Sequence, residues 1–226
     1  MFAREGYPFA AAALLLAGIL WSAVWAGMGG TGGAGWMALR GAAWLFTVLS
    51  LFVLWFFRNP EPTIPSDTAL VVAPGQGKII LVEDVEETSY VGGPAKKISI
   101  FLSVFDVHVQ RAPVTGTVEQ KIYRPGAYAV AWADKASEDN EQASLGIATD
   151  NGRVLVRQIA GLVARRIITD PAEGDTVERG RRFGLIRFGS RVDLFIPAHW
   201  EVLCAVGDRV KVGATPLARQ RPEPTS

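Results

Sequence analysis

The chain has 226 residues, a formal net charge of +1 and a single cysteine, Cys204. So balanced a charge argues against a nucleic-acid-binding surface, and one cysteine excludes a disulfide framework. The length allows one ordinary domain, or a smaller one plus membrane segments, and a mean hydropathy above zero favours the second arrangement.

The apolar residues gather at the N-terminus. Residues 7–28 carry no charged side chain, and residues 36–57 carry only Arg40. Each stretch is close to the ~20 residues that a helix needs to cross a bilayer. An uncharged glycine-rich turn over residues 29–35 joins them, and Trp21, Trp25, Trp36 and Trp55 lie near the segment ends, where amphipathic rings favour the interface. Arg4 and Arg58 flank the pair, so the positive-inside rule puts both ends, and the catalytic domain with them, on the cytoplasmic side of the cell membrane. Two other readings stay open. A signal peptide could end at Val24-Trp25-Ala26, although the second apolar segment speaks against it. The helices could also lie in the interface without crossing.

The expected organisation is a membrane-anchoring hydrophobic helical hairpin over residues 1–58, a proline-rich linker over 59–66 and a catalytic β domain over 67–226. In the last region, short apolar runs at 70–72, 98–104, 154–159, 183–188 and 192–196 are bounded by Gly, Pro, Asn and Asp and read as strands. One short helix is predicted over 133–143. An internal repeat is visible as well. Ala73-Pro74-Gly75-Gln76-Gly77-Lys78-Ile79 matches residues 112–118, and Gly174-Asp175-Thr176-Val177 matches Gly207-Asp208-Arg209-Val210. The predicted class is mostly β (α+β), a flattened β-barrel or sandwich resembling duplicated biotinyl/lipoyl-like units behind a helical hairpin. A carrier role is not expected, because all three methionines, Met1, Met28 and Met37, lie in the N-terminal region, away from any exposed lysine turn.

Chemistry can be sought in two clusters. Strict alternation along residues 101–113 puts Asp106, His108 and Gln110 on one strand face, a polar trio that suits a cleft better than a core. Further on, Gly189-Ser190 lies between two apolar runs. Glycine admits strained backbone and leaves its carbonyl open to the next hydroxyl. The setting lacks the strand–turn–helix of a nucleophile elbow, which argues against a membrane peptidase.

Several stretches together resemble the short bacterial and archaeal form of phosphatidylserine decarboxylase: residues 101–113, 135–141, 158–167 and 182–193, with 5–9 and 56–60 nearer the start. The resemblance covers almost the whole chain in order. It implies that Ser190 attacks the Gly189 carbonyl, that the chain splits into a β chain of residues 1–189 and an α chain from 190, and that the two stay associated. The serine remnant becomes a pyruvoyl cofactor, with neither metal nor pyridoxal phosphate expected. That group takes the amine of phosphatidylserine and accepts electrons as carbon dioxide leaves, giving phosphatidylethanolamine.

The resemblance further implies His108 as a catalytic proton donor, Asn140 and Gln158 as donors to the substrate, and Arg111, Arg165 and Arg166 as partners for lipid phosphate. Membrane lipids are expected partners, self-association stays open, and nucleic acid is not expected. Two positions depart from the family pattern. Gln76 stands where many members have an aspartate, and Arg111 where some have a second histidine. Glutamine cannot take a proton, so the base for self-cleavage is His108 or another group such as Asp106. A membrane-anchored adaptor without activity and an uncleaved pseudoenzyme are the alternatives.

Overall fold

The computed structural model describes residues 2–28, 32–126, 140–161, 166–187 and 189–222. They form two compact units, Met1–Pro60 and Glu61–Ser226.

In the first unit, α1 (Tyr7–Trp25) and α2 (Ala34–Phe56) run back along one another. Small residues make the contact: Ala10, Ala13 and Ala17 on α1, and Ala43 and Ser50 on α2, are buried. Small side chains let two helix backbones approach closely. Trp21 Nε1 donates to Thr47 Oγ1 at 3.0 Å across the pair. At the open end, Ala3 N–H bonds to the Phe57 carbonyl at 2.8 Å. Leucines and other large apolar side chains point outward, including Leu15, Ile19, Leu45 and Leu51. Both helices are long and apolar enough to cross a membrane.

The second unit is mostly β. Its strands are β1 (Leu70–Val72), β2 (Gly77–Glu87), β3 (Gly93–Leu102), β4 (Val109–Arg111), β5 (Gly116–Arg124), β6 (Gln142–Thr149), β7 (Gly152–Ala160), β8 (Ile167–Thr169), β9 (Thr176–Val177), β10 (Arg182–Ile186), β11 (Ser190–Pro197), β12 (Glu201–Val202), β13 (Arg209–Val210) and β14 (Pro216–Arg219). The main sheet has eight strands in the order β13-β2-β3-β11-β7-β6-β5-β9 and curls into a half-barrel. Two three-stranded sheets, β1-β14-β12 and β4-β10-β8, complete the fold. One core cluster runs through it, with Ile98, Ile100, Leu145, Val156, Phe183, Leu194 and Trp200 among its members.

The repeat read from sequence is present as matched geometry. Gly174 and Gly207 have φ of +89° and +103°, conformations that favour glycine. Behind them, Asp175 Oδ2 accepts from Ala172 N and Asp208 Oδ2 from Ala205 N, both at 2.8 Å. Gly180 N bonds to the Ala112 carbonyl and Gly213 N to the Ala73 carbonyl, again both at 2.8 Å. The same correspondence extends to whole strands: exchanging β2, β3, β11 and β13 with β5, β6, β7 and β9 reverses the order of the main sheet onto itself. The second unit is therefore a pseudo-twofold duplication whose axis passes between β11 and β7.

Three expectations need correction. The 106–110 stretch is not one strand: Asp106 and His108 lie in a loop and only Val109–Arg111 pairs. The Asp106 carboxylate causes this by capping the turn, accepting from Ser103 N at 2.9 Å and from Ser103 Oγ at 2.7 Å. The helix expected over 133–143 falls mainly outside the described residues, and its end is strand, because Gln142 and Ala143 belong to β6. Residues 61–67 do not hang as a spacer. Arg179 donates to the carbonyls of Pro65 at 2.7 Å and Leu70 at 2.8 Å, and also to that of Asp67, which straps the segment to the β unit.

Candidate active site

Ser190 opens β11, a strand paired on both sides. Its cross-strand partners are Leu102 on β3 and Ala160 on β7. Alternation sends Ser190, Val192, Leu194 and Ile196 to the core face. Ser190 is fully buried, and its Oγ has no hydrogen-bond partner among the described residues. A buried hydroxyl left unpaired costs about 1–3 kcal/mol, so its retention calls for a chemical reason. Gly189, just before it, has φ of +59°, and a methyl there would meet nothing within 4 Å. The Gly189–Ser190 peptide is thus bent in a way that favours glycine and has room on that side.

His108 is buried. Its Nδ1 lies 3.0 Å from the Asp106 carbonyl oxygen. A carbonyl can only accept, so Nδ1 carries the proton and Nε2 is the basic nitrogen of the neutral ring. The His108 carbonyl accepts from Ile186 N at 3.3 Å. That bond ties the His108 backbone to Ile186 at the end of β10, four residues before Ser190 in the sequence.

An amide network lies on the same inner face. Gln158 is the cross-strand partner of Val192, two residues from Ser190 along β11. Its Nε2 donates to Gln110 Oε1 and, at 3.2 Å, to the Ile168 carbonyl, while its Oε1 accepts from Thr169 Oγ1 at 2.6 Å. Those two backbone and hydroxyl contacts fix which end of Gln158 is the donor. Gln110 must therefore offer its oxygen to Gln158, and its Nε2 is left buried without a partner among the described residues. Asn140, also fully buried, donates from Nδ2 to the Ala160 carbonyl at 2.7 Å, steadying the strand beside Ser190. Gln76 is half-buried in the turn after β1. A methyl on its neighbour Gly75 would lie 3.4 Å from Leu102 and 3.5 Å from Val192, so this turn covers the same patch.

Other predicted residues are placed elsewhere. Arg111 is buried, donating to the Gly180 carbonyl at 2.9 Å, with Glu61 3.7 Å away. Burial pulls its guanidinium below the usual range, and the Glu61 charge opposes that. It is not an exposed phosphate contact. Arg166 is exposed, and Arg165 lies outside the described residues. The Asp106 carboxylate also binds Arg209 Nη2 at 2.8 Å, so it is committed to the turn and not to His108.

One cluster was not found by sequence reasoning. On the outer face of β11, Arg191 Nε meets Asp193 Oδ1 at 2.6 Å and Arg191 Nη2 donates to Ser99 Oγ at 2.9 Å, all three residues buried. Opposite charges two apart on a strand were the available signal. They anchor the residue that directly follows Ser190.

A half-barrel β domain that presents a buried serine hydroxyl after a positive-φ glycine suits an enzyme that processes its own chain. The sequence comparisons specify which one. The family model for phosphatidylserine decarboxylase matches residues 49–218. A phosphatidylserine decarboxylase proenzyme of Symbiobacterium thermophilum is 50% identical over 220 residues, covering 97% of this chain and 95% of that one. Proenzymes of the same name from Salinibacter ruber and Nitrobacter winogradskyi are 48% and 44% identical, covering 84% and 95% of this chain and 86% and 82% of their own. The chain belongs to the phosphatidylserine decarboxylase family and is an enzyme of that kind. The adaptor reading is not favoured.

Proposed function

We propose that this chain converts phosphatidylserine to phosphatidylethanolamine and carbon dioxide, using a pyruvoyl group that it makes from Ser190. The observation that carries the reading is the buried Ser190 Oγ, which has no hydrogen-bond partner among the described residues, behind a positive-φ glycine, in a chain of this family. Ser190 Oγ attacks the Gly189 carbonyl carbon, the peptide C–N bond breaks, and an ester replaces it. Loss of the Ser190 α-proton then breaks the Cβ–Oγ bond, and Gly189 leaves as a carboxylate. The remaining enamine tautomerises and takes up water, and ammonia departs. These steps give a β chain of residues 1–189 and an α chain starting at 190.

His108 Nε2 is the base that assists, a reading supported by the Nδ1 contact with the Asp106 carbonyl, which leaves Nε2 to accept a proton. Gln76 holds no proton-accepting carboxylate, and the Asp106 carboxylate is already bound to Ser103 and Arg209. The environment suits the group: when formed, it supplies an electrophilic carbonyl for the substrate amine and an electron sink for the departing carboxyl. His108 then returns a proton to the substrate carbon. Gln158 and Asn140 act as positioning residues, while Gln110 Nε2 and the exposed Arg166 remain to meet the head group. The apolar hairpin holds the enzyme at its lipid substrate, and the charges of Arg4 and Arg58 favour the cytoplasmic side for the catalytic unit.

Intact-mass analysis of the purified protein tests this directly. The expected result is a fragment of residues 190–226 bearing an N-terminal ketone. An active preparation containing only the uncut chain overturns the mechanism.

A further inference from the structure

The main sheet carries a second polar pocket on its outer face, the face opposite Ser190 Oγ. Strand register builds it. Gln120, Ile122 and Arg124 share one face of β5. Ile122 pairs with Ser144 on β6, Ser144 with Arg157 on β7, and Arg157 with Asp193 on β11. Asp193 lies on the outer face, so the whole row does. The end of the β2–β3 hairpin folds over this row: a methyl on Gly146 would lie 2.8 Å from the Tyr90 ring, and the Ser89 carbonyl accepts from Gln120 Nε2 at 3.4 Å. Between hairpin and sheet lies a cavity of about 70 Å³, with Ser89, Gln120, Ile122, Arg124, Ser144 and Arg157 in its lining.

The charges around this cavity do not balance. Arg157 is half-buried, yet it forms no ion pair among the described residues. Its Nε donates to Ser144 Oγ at 3.3 Å, and its Cζ stands 5.0 Å from the centroid of the Phe195 ring. Asp193 and Glu87 act on it through their charges, but both are engaged elsewhere: Asp193 meets Arg191 at 2.6 Å, and Glu87 accepts from Ser89 Oγ and the amides of Tyr90 and Val91. Burial pulls the Arg157 guanidinium below its usual range, the two carboxylates oppose that, and repulsion from Arg124 adds to it. Arg124 is exposed at the pocket and likewise has no ion pair among the described residues. Two guanidiniums lining one small cavity with no carboxylate between them suit an oxyanion. One group narrows the choice. With Nε2 on the Ser89 carbonyl, Gln120 Oε1 is left buried without a partner among the described residues. It can only accept, so it suits a ligand that carries a proton as well. A phosphate retaining one P–OH offers both acceptor oxygens and a donor, whereas ionised sulfate offers no donor.

We propose that this pocket is a phosphate site: Arg157 and Arg124 hold the oxygens of inorganic phosphate or of a phosphate monoester, the Ser144 hydroxyl donates to it, and Gln120 Oε1 accepts from its P–OH. The free ion and the head group of a monoester lipid are two sources of the same chemistry. Occupancy relieves the repulsion between the two guanidiniums and ties β5 to β7, the neighbour of the strand that Ser190 opens. The site lies on the other side of the sheet from the proposed catalytic serine and does not depend on it.

The test is a calorimetric titration of the full chain in nonionic detergent with inorganic phosphate, at ionic strength held constant with chloride. One phosphate should bind per chain, and sulfate should bind at least tenfold more weakly. Arg124→Gln, a change at an exposed position, should weaken phosphate about tenfold, and Arg157→Gln should abolish its binding. Melting in phosphate-free buffer checks that each variant is folded, and Arg124→Gln keeps the test decisive if Arg157→Gln is not. Micelles doped with phosphatidic acid separate the two sources: competition with phosphate assigns the site to a lipid head group, and unchanged phosphate binding assigns it to the free ion. Three results overturn the proposal: no phosphate binding above the chloride background, equal affinity for sulfate, or wild-type phosphate affinity in folded Arg124→Gln.

Discussion

The two halves of the β unit meet the central strand pair in opposite ways. Where β6 ends, Thr149 pairs with Gly152, and the chain turns straight into β7. Where β3 ends, Leu102 pairs with Ser190, a residue far along the chain. One corner is a closed hairpin. The other is open, with one segment leaving into the Phe105–His108 loop and another arriving through Gly189. The duplication thus supplies the same rigid ladder twice, and only the open corner has loose ends to furnish chemistry. A symmetric scaffold gives positional precision, and breaking the symmetry at one corner places the proposed cut site, Gly189–Ser190, at a loose end.

The contrast between the corners can be broken most severely at Ser190. Ser190→Ala should abolish both self-cleavage and carbon dioxide release, leaving one band of about 24.3 kDa on a denaturing gel. His108→Ala comes next, with decarboxylation down about 10²–10⁴-fold, the usual worth of a positioned proton donor; radiolabelled carbon dioxide release measures it. Asp193→Ala leaves buried Arg191 without its 2.6 Å partner, and should cost about 3–5 kcal/mol in a denaturant titration.

The closed corner should respond only in stability. Gly152 has φ of +135°, and a methyl there would lie 2.9 Å from Pro197. Gly152→Ala should lower stability by about 1–3 kcal/mol while leaving the 190–226 fragment fully formed. The smallest effect is expected at the far end of the β2–β3 hairpin. Burial would raise the Glu87 pKa, but Ser89 Oγ and the amides of Val91, Tyr90 and Ser89 outweigh it, and the carboxyl lies below its usual value of 4.5. A lowered folded-state pKa adds stability that is present above the unfolded value and lost as pH falls through the folded one. Glu87→Gln should therefore flatten the loss of stability below about pH 4.5 while leaving the open corner untouched.

Much of the fold is legible in the sequence alone. Short apolar runs form β1, β7 and β11, and the Gly-Asp pairs form matched turns, because glycine conformation and aspartate capping are local properties. The loop at residues 103–108 imitates a strand for a physical reason. Val107 and Val109 alternate with Asp106, His108 and Gln110 as in a strand, and the reach of Asp106 back to Ser103 breaks the pattern. Arg111 reads as a surface cation since a sequence does not show that Gly180 and Glu61 will enclose it. The burial of the Arg191–Asp193 pair is likewise hidden, because alternation puts it opposite the core face, where solvent is the default. Ser190 can be named from motifs, but the lack of a partner for its Oγ among the described residues cannot, since that depends on three strands brought together from distant parts of the chain.

The double-sided pairing of β11 has a consequence for the life history of the molecule. A chain cut before Ser190 keeps its shape, because the small fragment supplies a central strand and also β12, β13 and β14. Its route back to that shape changes. The uncut chain folds in a reaction of first order, whereas two separated fragments must first find each other. Refolding of the matured enzyme should therefore be second order and fail on dilution. Maturation would then make recovery depend on concentration: the precursor folds alone, and the product refolds only where its two fragments meet.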